Sequence, residues 1–498
     1  MKTNELTQIR TLGELKKSGY QPKLVKDELR DNLLKKLENK EPIFDGILGY
    51  NETVIPAIER AILSRHNINF LGLRGQAKTR MARSMVYLLD EYIPVVEGSE
   101  INDDPLNPIS KFAFDLIAEK GNETPIYWMH RKERYTEKLA TPDVSIADLI
   151  GDTDPIKAAN LKIAYSDEKV IHFGMVPRAN RGIFVINELP DLQPRIQVAL
   201  FNILQEGDIQ IRGFKLRLNL DIQFVFTANP EDYTNRGSII TPLKDRIQSQ
   251  IITHYPKSIN TSKEITLQES RILPMQQKRV GVSDLIVDLI EQIAFEARKS
   301  EFIDQKSGVS ARLTISAYES LISTAERRAI INKEKNTQAR IGDLLGIIPA
   351  ITGKVELVYE GEQEGANNVA HHLLGKSIRT KFISIFPDPE LLKKRKNEIN
   401  PYDKITKWFN KNEVNILSDL DSENYRLELE KVSGLKDIVN KYAPKVSENE
   451  QLLLMEFVLH GLAEFSMLSK NILETGLSFT DLFNSVFSMD DMEEQDER

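Results

Sequence analysis

The sequence predicts an α/β fold: a parallel sheet flanked by helices, followed by a long and mainly helical second half. Three observations predict it. Apolar runs recur at Ile68–Leu71, Gly182–Glu188 and Ile222–Asn229, the last two ending in polar side chains, the pattern of buried parallel strands whose ends carry chemistry. The first run leads directly into the stretch Gly72-Leu73-Arg74-Gly75-Gln76-Ala77-Lys78-Thr79 and then into an amphipathic segment starting at Arg80. After Pro256 the apolar residues take a helical period, over 282–300, 310–332 and 390–485.

Length and composition bound the reading. A chain of 498 residues has room for about three domains, and a 41% hydrophobic content supports well-packed cores. The formal net charge is −8, with both signs mixed along the chain, so no basic field favours nucleic acid. There is no cysteine, which excludes disulfides, thiolate metal sites and cysteine nucleophiles. The start Met1-Lys2-Thr3-Asn4-Glu5 lacks an apolar signal core, and no apolar run approaches the ~18 residues of a membrane span. The cytoplasm is the expected location.

Residues 1–40 read as an N-terminal helical segment, with Leu24, Leu29, Leu33, Leu34 and Leu37 set among charges. An α/β nucleotide-binding domain is expected over 41–256. It opens on the turn-rich segment Pro42–Tyr50, in which Ile47 and Leu48 are candidates for contact with the cofactor. Val54, Ile58, Ala61 and Ile62 follow at helical spacing, and then comes the first strand.

The glycine stretch reads as a phosphate-binding loop. A strand turning through glycines into a helix directs several backbone N–H groups at one point, which suits a polyphosphate. Gly72, Arg74, Gly75, Gln76, Ala77, Lys78 and Thr79 are its candidate nucleotide-binding residues, Lys78 reaching the terminal phosphates and the Thr79 hydroxyl sitting on Mg²⁺. Ala77 occupies the position where the common pattern has glycine. Its Cβ disfavours a left-handed backbone, so either the loop stays right-handed there or it binds phosphate less well. A looser match at Ala370–Ser377 is set aside, because its bulky centre reads as helix where a glycine turn after a strand is required.

Further strands are expected at Pro125–Met129, Gly182–Glu188 and Ile222–Asn229. A helix through Gln197, Leu200 and Leu204 and a hairpin over 208–220 with a glycine turn lie between the last two. A helical lid is expected over 257–380 and a helical C-terminal extension with an acidic tail over 381–498, interrupted at 353–365 by a small ribbon or loop. Lys393-Lys394-Arg395-Lys396 reads as a solvated helix face. His371 and His372 are adjacent, so on a helix they diverge by about 100° and make a poor metal pair.

In open parallel sheets ligands bind beyond the carboxyl ends of the strands, which brings Glu188 and Asn229 to the phosphates. Glu188 can polarise the attacking water, and Asn229 can hold that water or the γ-phosphate. Asn187 falls where a Mg²⁺-binding aspartate is usual. Its amide oxygen can still accept, without charge, so metal binding should depend more on Thr79 and the phosphates. Arg246, ending Pro242-Leu243-Lys244-Asp245-Arg246, is suited to reach the γ-phosphate on a neighbouring subunit, and Arg312 could fold over the same nucleotide from the lid.

From Phe44 to about Arg312 the chain resembles the AAA+ ATPases of the magnesium chelatase I-subunit and MoxR group. The resemblance is carried by Thr141-Pro142-Asp143 through Ile150-Gly151-Asp152, Val176-Pro177-Arg178-Ala179-Asn180-Arg181-Gly182, Asn187-Glu188-Leu189-Pro190 and Thr227-Ala228-Asn229-Pro230-Glu231-Asp232. It implies a AAA+ P-loop NTPase core with a helical lid, working as an ATP-driven, Mg²⁺-dependent ring, typically a hexamer. In that ring Lys78 and Thr79 match the Walker A residues and Glu188 the catalytic acid. Asn229 matches the first sensor, Arg246 the arginine finger and Arg312 the second sensor. The insert around 153–175 and the hairpin match the family's two extra elements, which contact substrates or partners. A protein with a von Willebrand factor A-type domain is the usual companion. Ala77 and Asn187 depart from the pattern and bear on the rate of hydrolysis more than on nucleotide binding.

The leading expectation is a motor that remodels or activates a partner protein. A magnesium chelatase motor driving metal insertion into a porphyrin is the alternative within the same chemistry. A nucleotide-gated scaffold or a transcription regulator without substantial turnover is the alternative of another class. The regulator reading calls for a Gly-Ala-Phe-Thr-Gly-Ala loop, which the sequence lacks.

Overall fold

In the computed structural model of this chain, which describes residues 8–161, 170–206, 208–211, 217–230, 238–394, 400–473 and 475–482, the apolar runs of the first half share one sheet. Its strands are β1 (Ile68–Leu71), β2 (Tyr135–Leu139), β3 (Gly182–Asn187), β4 (Ile222–Ala228) and β5 (Ser249–Ile252). They lie in the order β5-β1-β4-β3-β2, and every neighbouring pair is parallel. β3 and β4 are buried along their whole length, as continuous Ile, Val and Phe runs require when both faces are covered. Phe184, Ile186, Phe224 and Phe226 face one apolar cluster, with Ile196, Leu200 and Leu243. Ile183, Val185 and Val225 face another, shared with Ile68, Phe70, Met81 and Met85. Leu71 pairs with Ala228, and Phe226 with Ile186, so the residues just beyond β1, β3 and β4 emerge along the same sheet edge.

The segments before β1 belong to this core. Helix Val25–Glu38 places Leu29 and Leu33 in the cluster with Ile68, while Leu24 and Leu37 are exposed. Glu28 on this helix forms a buried ion pair with Arg134, both guanidinium nitrogens meeting the carboxylate at 2.7 and 2.6 Å.

Ile126–His130 is a strand as expected, but it lies outside the central sheet. It pairs antiparallel with Tyr92–Val96 in a separate ribbon. The sheet's edge strand is instead Tyr135–Leu139, a polar run that pairs only with β3. The insert is bounded by the antiparallel pair Gly151–Thr153 and Ile171–Phe173, and the hairpin by Asp208–Gln210 and Arg217–Asn219. The centre of the insert, the hairpin's glycine turn, Glu231, Asp232, Arg395, Lys396 and the acidic tail lie outside the described residues.

The chain divides into two units, Met1–Tyr255 and Pro256–Arg498. In the second, one apolar cluster runs from Val280 to Phe479 around helices Asp284–Ala297, Arg312–Ile331, Ala366–Ile385 and Glu448–Glu464. Ala370–Ser377 sits within one of these helices, as read from the sequence. Two corrections apply. The stretch 353–365 holds a short helix, Tyr359–Glu364, in place of a ribbon. The C-terminal region is not wholly helical: Val414–Leu417, Gly476–Thr480 and Ser469–Leu473 form a three-stranded antiparallel sheet, with Gly476–Thr480 in the middle. Leu477 and Phe479 join the core there, on a strand that is buried from Gly476 to Phe479. No helix among the described residues is long and apolar enough to cross a membrane.

Candidate functional site

The loop after β1 is built against the strand ends beside it. The Gly72 N–H donates to Ala228 O at 3.1 Å, continuing the sheet ladder one residue past the strand. A Cβ at Gly72 would overlap the Thr253 hydroxyl and the Gln76 amide, so only glycine fits. Those two groups meet in a buried hydrogen bond of 2.6 Å, the Thr253 hydroxyl donating. The Tyr50 hydroxyl lies 3.1 Å from Gln76 O and 2.7 Å from His254 O, and Tyr255 donates to Arg74 O at 3.0 Å. Burial pushes the Tyr50 phenol up to about 12, which keeps it a neutral donor. The loop is thus braced from behind by residues 253–255, which follow β5, and by Tyr50.

Ala77 settles the question that the sequence left open. It is left-handed, with φ 57° and ψ 17°, immediately before the helix Lys78–Ser84. The loop therefore keeps the backbone that glycine would adopt and carries the strain of a Cβ. Ala77 also packs against the apolar cluster that contains buried Ile47. Leu48 beside it is half-buried.

Lys78 and Thr79 connect the three strand ends. The Lys78 ammonium donates to Gly72 O, to Leu73 O at 2.9 Å and to the Asn229 amide oxygen at 2.6 Å, joining the loop to the end of β4. The Thr79 hydroxyl donates to Asn187 Oδ1 at 3.3 Å, and the Thr227 hydroxyl reaches the same oxygen at 3.2 Å. Thr227 Oγ1 also accepts from the Glu188 N–H at 3.1 Å. Glu188 leaves the strand in a left-handed conformation, φ 56° and ψ 49°, which breaks β3 and turns the chain into Leu189–Asp191. Strain of this kind concentrates at functional sites. The Thr79 hydroxyl and the Asn187 amide oxygen are hard oxygen donors, which with water and phosphate oxygens suit Mg²⁺, so the residues present fit that ion.

One participant was missed in the sequence. Glu137 on β2 accepts from Asn187 Nδ2 at 2.7 Å, from Arg83 at 2.8 and 3.0 Å, and from the Tyr135 hydroxyl at 2.9 Å. Partial burial raises the Glu137 carboxyl, but the bonds from Arg83 and Tyr135 outweigh it and hold its pKa below the usual carboxylate range. No local motif marks it, because it meets Asn187 only across the parallel pairing of β2 with β3.

The two candidate arginines make contacts within their own units. Arg246 lies at the end of the helix Thr241–Arg246, donates to Gln205 Oε1 at 3.1 and 3.0 Å, and covers the Phe201 ring at 4.2 Å. Those contacts hold it against its own subunit. Arg312 begins the helix Arg312–Ile331 of the second unit, where its N–H donates to the Ser310 hydroxyl at 3.1 Å.

A parallel sheet with a glycine loop after β1, an acidic residue after β3 and an asparagine after β4 defines a P-loop core of the AAA+ class. Comparison with known proteins narrows the class. Residues 160–252 match the family described as the Sigma-54 interaction domain. The chain is 24% identical over 234 residues to the magnesium-chelatase 38 kDa subunit of Cereibacter sphaeroides, covering 45% of this chain and 63% of that protein. It is 25% identical over 197 residues to the magnesium-chelatase 38 kDa subunit of Rhodobacter capsulatus, covering 39% of this chain and 50% of that protein. Among solved structures, the magnesium chelatase BchI–BchD complex placed in a cryo-EM reconstruction is 19% identical, covers 64% of this chain and 98% of that chain, and has a TM-score of 0.32. The chain spans less than two thirds of the length of these two curated relatives. The sequence relatives bear out the resemblance read from the motifs: the chain is similar to the magnesium-chelatase 38 kDa subunits.

Proposed function

We propose that the chain is an ATP-hydrolysing AAA+ motor that remodels or activates a partner protein. The observation that supports this most is the convergence on Lys78 and Thr79 of groups from β3 and β4, through Asn187 and Asn229. Residues 72–79 hold the phosphates of ATP, and Lys78 releases its carbonyl partners to meet the terminal ones. Glu188 accepts a proton from water as the water oxygen bonds to the γ-phosphorus. The bond from that phosphorus to the bridging oxygen breaks, and ADP leaves. Asn229 orients the water or the γ-phosphate. Thr79 and Asn187 would hold Mg²⁺, which would supply neutralisation of charge on the phosphate oxygens when bound.

The oligomer is a ring, expected to be a hexamer, because Arg246 acts on the nucleotide of a neighbouring subunit after leaving Gln205 and Phe201. Arg312 approaches the same nucleotide from the helical lid. The insert and the hairpin carry the motion to the client, and a protein with a von Willebrand factor A-type domain is the expected companion. The setting is the cytoplasm.

The names of the sequence relatives favour a second reading, an ATPase subunit of a magnesium chelatase. Loss of magnesium insertion into a porphyrin on deletion of this chain would select it. The Sigma-54 match covers a region with no Gly-Ala-Phe-Thr-Gly-Ala stretch, which gives the regulator reading no contact element. Steady-state ATP hydrolysis tests the proposal. Lys78→Ala should lose binding and turnover together, and Glu188→Gln should bind ATP and lose turnover by 10²-fold or more, about the contribution of a general base. Equal rates for wild type and Glu188→Gln would reduce the chain to a nucleotide-gated scaffold.

A further inference from the structure

Asn187 leaves the candidate metal site without the negative charge of an aspartate. The side chains around it show where a charge is available. The Asn187 amide has one orientation that satisfies its neighbours: Nδ2 faces the Glu137 carboxylate at 2.7 Å, and Oδ1 faces the Thr79 and Thr227 hydroxyls at 3.3 and 3.2 Å. The reverse orientation would set an amide oxygen against a carboxylate oxygen, which repel. Glu137 therefore decides that an oxygen faces Thr79.

Its carboxylate is fixed in turn. Arg83 grips it through two hydrogen bonds, and Arg83 lies one helical turn after Thr79 on the helix Lys78–Ser84. Thr79, Asn187, Glu137 and Arg83 thus form a closed circuit between that helix and two strands. The Glu137 side chain is 21% exposed, whereas that of Arg83 is 63% exposed, so water screens the arginine's charge more than the carboxylate's.

We propose that Glu137 is a positioning residue of the metal–nucleotide site, supplying through Asn187 the negative charge and the orientation that an aspartate would otherwise provide. The inference rests on the ATP-binding reading above. The charge is moved back by one side chain and kept. Outer partners of metal ligands commonly change metal affinity by about 10–100-fold when removed, and that is the scale expected here.

The test is equilibrium binding of a fluorescent ATP analogue to the full chain, with and without Mg²⁺, read as the ratio of the two Kd values. Glu137→Gln keeps the shape and an acceptor but removes the charge, and should lower the Mg²⁺ ratio by about tenfold. Asn187→Asp placed in the Glu137→Gln background returns one carboxylate to the circuit and should restore the ratio to near wild type. Arg83→Gln cuts the same strand-to-helix tie but leaves the Glu137 charge, and should keep the ratio. If Glu137 were only a strut, Arg83→Gln would reproduce the Glu137→Gln defect and Asn187→Asp would not repair it. Either result overturns the proposal, as does an unchanged ratio in Glu137→Gln. Absence of saturable nucleotide binding by the wild type would instead sink the ATP-binding reading, and this inference with it.

Discussion

Ala77→Gly isolates where the strain of the phosphate loop is felt. Ala77 is left-handed, at φ 57° and ψ 17°. That backbone costs an L-residue with a Cβ roughly 1–2 kcal/mol. Glycine removes this cost but adds unfolded-state freedom worth about 0.5–1 kcal/mol. It also gives up the contact of the Ala77 methyl with the apolar cluster around Ile47. The net change in folding stability is therefore between zero and about 1 kcal/mol, or at most about 2–4 °C in the melting temperature of a unit this size. Because Tyr50, Thr253 and Tyr255 brace the loop from behind, the strain falls on folding rather than on nucleotide binding. Isothermal titration with ATP should then give Kd values for wild type and Ala77→Gly within about twofold, since equal strain in free and bound states cancels. Ala77→Val, with a β-branched side chain in the same dihedrals, should lower the melting temperature below wild type. A tenfold tightening in Ala77→Gly would refute the reasoning, for it would mean that the free loop is right-handed and flips when phosphate arrives.

Two further outcomes follow from buried titratable groups. His460 is buried, and neither ring nitrogen has a hydrogen-bond partner among the described residues. Burial holds its pKa well below the ordinary value, so as pH falls through about 6.5 the unfolded chain takes up a proton that the folded chain refuses, and stability is lost. His460→Leu should raise the unfolding free energy at pH 7, read from denaturant titration, by about 1 kcal/mol and widen its advantage at pH 5.5; an advantage that narrows on acidification would contradict this. Asp221 is raised to about 6 by burial, which outweighs the Val25 N–H bond and the nearby Arg181. Its folded state keeps a proton that the unfolded state has lost, so stability falls as pH rises from about 4 to 6. Asp221→Asn should remove that fall and gain on wild type by up to about 3 kcal/mol between pH 4 and 7, read from urea unfolding; parallel pH profiles would exclude it.

How much was legible depended on how far each signal reached along the chain. β1, β3 and β4 were readable because both faces of a central strand are apolar, so burial shows as a continuous run. β2 was not. Tyr-Thr-Glu-Lys-Leu is an edge strand with partly exposed positions, and the more apolar Ile126–His130 drew the assignment that belonged to it. The loop's residues were legible, but the handedness of Ala77 was not, since it is decided by the braces at residues 50 and 253–255. The strands near the C-terminus are four or five residues long among helices, too short to displace a helical period. Glu137 was invisible for a related reason: it meets Asn187 from 50 residues away, and only the parallel register, which pairs Glu137 with Val185 two residues before Asn187, brings them within reach.

The residues that depart from the common pattern are explained by their neighbours rather than by themselves. Ala77 and Glu188 are both non-glycine residues in left-handed backbone, one before the helix Lys78–Ser84 and one after β3. Each is held by a group outside its own segment, Ala77's loop through residues 50 and 253–255, and Glu188 through the Thr227 hydroxyl. Thr227 also reaches Asn187 Oδ1, so a single hydroxyl on β4 sets the backbone of the proposed general base and the amide of the proposed metal residue. The backbone geometry is therefore held by side chains of the fold itself. What residue 187 lacks is charge, so turnover should respond to loss of the carboxylate at 137 or gain of one at 187 and not to relief of strain at 77.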